Sequence, residues 1–162
     1  MTLPIESVKM CLTMNGRYCV LVLCTGNSAR SQMAEGLINA QLADRFAAYS
    51  AGTRPTGYVH SQAIAALREI GIDISQHRSK SFDEFQRVQF DVVITVCDDA
   101  AENCPVWLGQ GQRVHLEFPD PAAAAPDEQA QQFRIVRDAI QHQLISYLRD
   151  WQPEAQRRKH DH

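Results

Sequence analysis

An uninterrupted apolar segment, YCVLVLC, occupies residues 18–24. It is rich in aliphatic and β-branched residues and apolar on both faces, which is typical of a strand buried inside a parallel sheet. A second such segment, FDVVITVC, occupies residues 90–97, and weaker strand patterns lie at 46–52 and 113–118. Segments with helical spacing separate these strands, so the chain is predicted to be an α/β protein whose parallel sheet is covered on both faces.

The predicted helices differ in how clearly their apolar faces are marked. Residues 60–72 form a helix with Ile64, Leu67 and Ile70 directed inward and Gly71 as its C-cap. Residues 81–85 are expected to form a short helix. A long terminal helix carries one apolar stripe, which consists of Phe133, Val136, Ile140, Leu144 and Leu148.

The loop after the first strand carries the chemistry. Cys24 and Arg30 fit the pattern C-x5-R, between a buried strand and a helix. A loop of this length that enters a helix N-terminus can direct several backbone N–H groups at one anion. The arginine offers a planar fork for two oxygens of a tetrahedral oxyanion. The predicted oxyanion-binding residues are Thr25, Gly26, Asn27, Ser28, Ala29, Arg30 and Ser31.

Further properties of this loop follow from its residue types. Gly26 and Asn27 tolerate the positive φ angles that a tight curl needs. The positive potential of the loop is expected to lower the pKa of Cys24 and make it a nucleophilic thiolate, to which Ser31 donates a hydrogen bond. The alternative is a buried cysteine followed by an ordinary capped helix. The spacing excludes a Walker loop, which ends in Gly-Lys-Ser/Thr.

Length and charge limit the remaining possibilities. The chain has 162 residues and a net charge of −3, which favours neither nucleic acid nor an anionic membrane as a partner. We expect a loose N-terminal extension at 1–17, a single catalytic domain at 18–151 and a C-terminal tail at 152–162. No secretory leader or membrane-length apolar run is recognisable, so a cytoplasmic monomer is expected.

The segment LCTGNSARSQMAEG (23–36) resembles the loop of low-molecular-weight protein tyrosine phosphatases and of the arsenate reductases built on the same fold. The resemblance implies a three-layer fold with a four-stranded parallel sheet flanked by helices. It also implies that Cys24 is the nucleophile and Arg30 the oxyanion ligand. Further segments of residues 18–150, among them DISQHRSKSFDEF, resemble the same proteins.

The candidate general acid is Asp120, in the segment FPDPA. The prolines on either side stiffen a loop that can hold the carboxyl over the oxyanion. An Asp-Pro turn without catalytic function is the alternative, but in the resembled family an Asp-Pro after the last strand carries the acid. Phosphatases of that family usually follow it with an aromatic residue. Ala122 stands there in this chain, which favours a small inorganic substrate.

Two further cysteines distinguish reduction from hydrolysis. Cys97 ends the second buried strand and Cys104 follows seven residues later. In a reductase Cys97 would attack the Cys24 adduct and Cys104 would then attack Cys97. An intact helix would hold Cys97 and Cys104 too far apart, so the intervening segment must open. Buried packing and a zinc site are the alternatives, although no further zinc ligands are obvious nearby.

The segment TVCDDAAENCPV resembles the resolving-cysteine segment of thioredoxin-coupled arsenate reductases. The expected function is therefore reduction of arsenate to arsenite, for arsenic detoxification, with thioredoxin as the electron donor. Glutathione with glutaredoxin is the alternative donor. The alternative activity is that of a tyrosine phosphatase using Cys24, Arg30 and Asp120, and weak phosphatase activity is compatible with either. An oxyanion-binding or redox-sensing module is a third possibility.

The chain departs from its resembled relatives at two positions. Some relatives carry a second cysteine in the loop, where this chain has Ala29. Some carry an aspartate that helps to bind potassium, where this chain has Lys80, whose ammonium group can take the place of the cation. Asn27, Glu35 and Ser50 match other ligands of that ion, and the first two are expected to brace the loop. No cofactor and no bound metal are expected.

Overall fold

The computed structural model describes residues 16–102 and 111–153. Four parallel strands form one sheet in the order β2-β1-β3-β4, which confirms the predicted fold. The strands are β1 (Tyr18–Cys24), β2 (Phe46–Gly52), β3 (Val92–Thr95) and β4 (Gln112–His115). Consecutive residues of β1 and β3 are buried, as expected for strands whose two faces are both covered.

The helices alternate with these strands along the chain. They are α1 (Arg30–Gln41), α2 (Ser61–Arg68), the short α3 (Asp98–Glu102), α4 (Gln129–Ile140) and α5 (Ser146–Asp150). A π-helical turn at Gln141–Ile145 joins α4 to α5, so the last two helices continue one another. The apolar stripe predicted for this terminal segment is buried throughout.

Helix α1 packs on β1 and β2 and also contacts α2 and α4. Gly36 permits its close approach to α2, because a Cβ at this position would lie 2.7 Å from side-chain carbons of both Leu67 and Ile74. On β2, the Tyr49 ring packs against Phe85 and Phe90 with ring centroids 5.9 and 6.1 Å away. The close contact at Gly36 fixes how the second turn of α1 packs against Leu67 and Ile74.

A charged cluster joins α2 to α4. Glu69 accepts hydrogen bonds from Arg134 and Arg137, at 2.8–3.0 Å. These hydrogen bonds lower the pKa of Glu69 to about 2. Arg137 is largely buried and also donates to the carbonyl oxygen of Ala66 at 2.7 Å, so its charge is compensated on two sides.

Several element boundaries differ from those expected from the sequence. Helix α2 ends at Arg68, before the predicted end, and Ile70 is exposed rather than directed inward. Gly71 has a φ of 84° beyond this helix end. Strand β3 ends at Thr95, so Cys97 lies just beyond β3 instead of ending it. Strand β4 covers 112–115 and is shorter than predicted. The short helix expected at 81–85 is a 3-10 turn, Phe82–Phe85.

The domain boundaries stay a prediction, since most of the extension and tail lie outside the described residues. Among the helices that are described, none combines the length and apolarity needed to cross a bilayer.

Candidate active site

The carboxyl ends of β1 and β3 meet at one edge of the sheet, and the loop between β1 and α1 lies there. We call residues 24–30 the oxyanion loop. Asn27 has a φ of 50°, which confirms the predicted left-handed conformation. Gly26 has no positive φ. Its missing side chain serves close packing instead, because a Cβ would lie 3.2 Å from a methyl carbon of Thr56.

The carbonyl groups of the oxyanion loop bond to the protein around it. Four N–H groups of the segment after β2 donate to four loop carbonyls at 2.8–3.0 Å: Thr53, Arg54, Thr56 and His60 to Cys24, Thr25, Gly26 and Ser28. Because the carbonyl oxygens are turned toward this segment, the loop presents its N–H groups to the opposite, concave side. This arrangement is that of an anion-binding nest.

Gly52 at the end of β2 makes this close approach possible. A Cβ at this position would lie 2.5 Å from the carbonyl oxygen of Thr25 and 3.1 Å from the Cβ of Asn27. Any larger residue would displace the oxyanion loop. The loop conformation therefore depends on a glycine of the neighbouring strand as well as on its own residues.

The side chain of Asn27 is fully buried and holds the loop from inside. Its amide group donates to the hydroxyl oxygens of Ser31 and Ser50 at 2.8 and 3.0 Å. Its carbonyl oxygen accepts from the backbone N–H of Lys80 at 2.9 Å and from the Gln32 side chain at 3.0 Å. All four hydrogen-bonding positions of this amide side chain are thus in use.

Cys24 lies at the base of the nest, 2 % exposed. Its Sγ is 2.7 Å from the Ser31 hydroxyl and accepts a hydrogen bond from the Asn27 N–H at 3.2 Å. The expectation of a lowered pKa is wrong for this structure. Burial raises the pKa of Cys24, and this effect outweighs the hydrogen bonds and the charge of Arg30, which lower it.

Arg30 begins α1 and connects the oxyanion loop to the segment that follows β4. Its guanidinium donates to the carbonyl oxygen of Phe118 at 3.1 Å. Asp120, two residues further on, is exposed and caps the 3-10 turn Pro121–Ala123 by accepting from the N–H of Ala122 at 3.0 Å. The structure therefore brings the predicted arginine and the predicted acid to the same edge of the sheet.

Cys97 lies beside the oxyanion loop as a free, buried thiol. Its Sγ is 3.3 Å from the hydroxyl of Thr25. Leu23 pairs with Thr95, so continuing this register sets Cys97 opposite Thr25 and diagonal to Cys24. Cys97 therefore lies next to the residue that directly follows Cys24 in the oxyanion loop.

Two other cysteines have no described place in the candidate site. Cys104 lies outside the described residues, so its place relative to Cys97 stays a prediction. Cys19 is fully buried in β1.

Sequence reasoning missed two residues that support the loop. Gln32 is fully buried and donates to the Asn27 carbonyl oxygens and to the carbonyl oxygen of Arg78. Ser79 donates to the carbonyl oxygen of Gly26 at 3.2 Å. The available signal was a polar side chain, Gln32, next to Met33 and Ala34 in a helix that must be buried against the sheet.

Glu35 is expected to brace the loop, and its neighbour His77 lies 3.1 Å from the Gln32 side chain that supports the loop. The Glu35 carboxylate is 2.9 Å from Nδ1 of His77 and 3.7 Å from the Lys80 ammonium. The three side chains are largely buried. The lysine therefore supplies a positive charge next to Glu35 within the chain itself.

Comparison with known proteins agrees with this geometry. A family model described as low molecular weight phosphotyrosine protein phosphatase matches residues 19–159. An arsenate reductase of Halalkalibacterium halodurans is 45% identical over 123 residues, which cover 75% of this chain and 88% of the relative. One from Bacillus subtilis is 42% identical over 130 residues, covering 79% and 93%. A solved arsenate reductase in the phosphate binding state has a TM-score of 0.65 and 33% identity, over 80% of this chain and 95% of that chain.

Proposed function

The chain belongs to the low molecular weight phosphotyrosine protein phosphatase family, and we propose that it acts on this fold as an arsenate reductase. The observation that carries the proposal is the free thiol of Cys97 beside the oxyanion loop. A phosphatase needs one nucleophilic thiol, whereas a reductase needs a second thiol, because two thiols that join in a disulfide supply the two electrons that arsenic accepts. The similarity to arsenate reductases at 42–45% identity supports the same function.

The first step is formation of a bond between Cys24 and arsenic. Arsenate binds to the N–H groups of residues 25–30 and to the guanidinium of Arg30. The Asn27 N–H and the Ser31 hydroxyl stabilise the attacking thiolate. Asp120 protonates the departing hydroxyl group, which leaves as water.

The second step transfers two electrons to arsenic. Cys97 attacks the sulfur of Cys24, and a disulfide bond forms between the two residues. The electron pair of the sulfur–arsenic bond goes to arsenic, which leaves as arsenite. The Thr25 hydroxyl lies 3.3 Å from the Cys97 sulfur and can donate a hydrogen bond to its thiolate.

The third step regenerates Cys24. Cys104 attacks Cys97, so the disulfide moves to Cys97–Cys104 and a dithiol protein of the thioredoxin type reduces it. Glutathione with glutaredoxin is the alternative donor. Helix α3 follows Cys97 directly, so the exchange requires this part of the chain to open. We propose a cytoplasmic monomer for this cycle.

Turnover assays with matched serine variants test the proposal. Wild type should reduce arsenate repeatedly when supplied with thioredoxin, thioredoxin reductase and NADPH. C97S should release no arsenite, while C104S should complete one turnover and stop. If C104S sustains turnover with thioredoxin, the three-cysteine relay is refuted. A parallel assay with glutathione and glutaredoxin identifies the donor.

Hydrolysis of a phosphate ester is the second candidate function, because the oxyanion loop and Arg30 suit phosphate equally well. It requires Cys24, Arg30 and Asp120 but not Cys97. Hydrolysis of p-nitrophenyl phosphate by C97S at the wild-type rate, together with no arsenate reduction by wild type, would establish the phosphatase instead.

We further propose that no alkali cation is needed. The ammonium group of Lys80 lies 3.7 Å from Glu35, so it already compensates the carboxylate that such a cation would bind. Turnover should therefore be equal in sodium and potassium salts of the same ionic strength. Substantial activation by potassium would contradict this assignment.

A further inference from the structure

Three metal-ligating side chains outside the oxyanion loop lie together at the carboxyl ends of β3 and β4. Asp98 begins α3, His115 ends β4, and Glu117 follows two residues later. One ligand atom of each lies within 4.8 Å of the others, and all three side chains are exposed. The residues come from two separate segments that the sheet register brings together.

We propose that Asp98, His115 and Glu117 form a binding site for a divalent transition-metal ion, Zn²⁺ above all. The His115 Nε2 lies 3.1 Å from an oxygen of Asp98. Two ligands that each lie about 2.1 Å from one ion are separated by about 3.0–3.4 Å. These two atoms therefore already have the spacing of neighbouring ligands, and Glu117 needs only a side-chain adjustment to join them.

The imidazole ring is held in the orientation that metal binding requires. Thr95 pairs with His115 across β3 and β4, and its hydroxyl lies 2.8 Å from the ring Nδ1. Thr95 is buried, so this contact is a fixed part of the sheet. A hydrogen bond at one ring nitrogen that directs the other toward the ligand position is the usual support of a histidine metal ligand.

The donor set determines the class of ion. One imidazole and two carboxylates suit zinc and neighbouring first-row ions, and the two negative charges balance a divalent cation. His115 and Glu117 are two residues apart on extended backbone, so their side chains leave the chain on the same side. Because the site is exposed and supplies three ligands, water would complete the coordination, and the ion would exchange with solvent.

Metal binding would act on the thiol relay, a consequence that rests on the proposed function. Asp98 directly follows Cys97 and is the first residue of α3. An ion shared with His115 would tie the start of α3 to β4 and oppose the opening that moves the disulfide to Cys104. Zn²⁺ should therefore slow repeated turnover in wild type more than in the H115A variant.

Calorimetric titration with Zn²⁺ tests the site without arsenate, so its outcome is independent of the reductase activity. The parent is the full chain carrying C97S and C104S, which removes two competing thiols. One ion should bind per chain. H115A should abolish this binding, and D98N and E117Q should each weaken it at least tenfold. T95V should weaken it by roughly 10–100-fold through the ring orientation.

The matched control is the double variant H160A/H162A, which removes the histidines of the C-terminal tail. It should bind Zn²⁺ as the parent does. Unchanged binding by H115A, or loss of binding in the tail variant alone, would overturn the proposal. Circular dichroism of each variant separates loss of the site from loss of the fold. Equal inhibition of wild type and H115A by Zn²⁺ would refute the effect on the relay and leave the binding result standing.

Discussion

Replacing Asn27 by alanine should destabilise the protein and disable the oxyanion loop together. The substitution removes four hydrogen bonds of a fully buried side chain. It leaves the N–H of Lys80 and the amide of Gln32 without this acceptor inside the protein. It also places alanine, which tolerates the left-handed conformation less well than asparagine, at a φ of 50°.

The expected loss follows from these contacts. Four hydrogen bonds at a net value of about 1 kcal/mol each give about 4 kcal/mol. The left-handed backbone adds about 1 kcal/mol for alanine. A total of about 5 kcal/mol is a large part of the stability of a typical domain, which is about 5–15 kcal/mol. With an ordinary urea dependence, the unfolding midpoint should fall by about 2 M or more.

Urea denaturation followed by tryptophan fluorescence measures this loss, and two further variants separate its causes. N27G keeps the loss of hydrogen bonds but accepts the backbone conformation, so it should recover about 1 kcal/mol relative to N27A. N27D keeps the acceptor for Lys80 and should lie between wild type and N27G in stability. A midpoint for N27A within about 0.5 M of wild type would refute the view that this side chain holds the loop.

Three further outcomes are expected. G52A should weaken phosphate binding, measured by calorimetry, because its Cβ would lie 2.5 Å from the Thr25 carbonyl oxygen; binding at wild-type affinity would contradict the close approach. In a C97S background without ligand, the rate at which iodoacetamide alkylates Cys24 should still rise beyond pH 9.0, the ordinary pKa of a thiol. Burial raises the pKa of Cys24 above that value. An alkylation rate that reaches its plateau near neutral pH would refute the raised pKa. Wild type should be more stable than E69Q above pH 4.5, and this advantage should disappear as the pH falls toward about 2. The lowered pKa of Glu69 means that the folded state binds fewer protons than the unfolded state in that interval. Melting temperatures of the two proteins that depend equally on pH would contradict this prediction.

The fold could be predicted because its strong signals are local. β1 and the terminal helix carry apolar patterns that only a buried strand and an amphipathic helix explain, and both occur as expected. The boundaries were less certain, since they depend on tertiary contacts. Ile70 continues the periodicity of α2 but lies beyond its end, where the chain turns through Gly71.

The site was only partly readable for the same physical reason. The spacing of Cys24 and Arg30 and the left-handed Asn27 follow from one short segment. The roles of Gln32 and Gly52 depend on contacts with β2 and with the segment around residue 78, which no local pattern encodes. The direction of the Cys24 pKa was wrong because the sequence shows the favourable field of the loop but not the depth of burial.

The oxyanion loop and the thiol beside it have separate tasks. A loop of this kind accepts phosphate and arsenate alike, because it responds to the charge and the oxygens of a tetrahedral anion. After attack by Cys24, phosphorus keeps its oxidation state, and a water molecule hydrolyses the sulfur–phosphorus bond. Arsenic accepts two electrons if a second sulfur attacks Cys24, and in the proposed cycle that sulfur belongs to Cys97, which lies 3.3 Å from the Thr25 hydroxyl. The residue just beyond β3 therefore decides between hydrolysis and reduction, so C97S should lose the reductase activity and keep whatever phosphatase activity the loop provides.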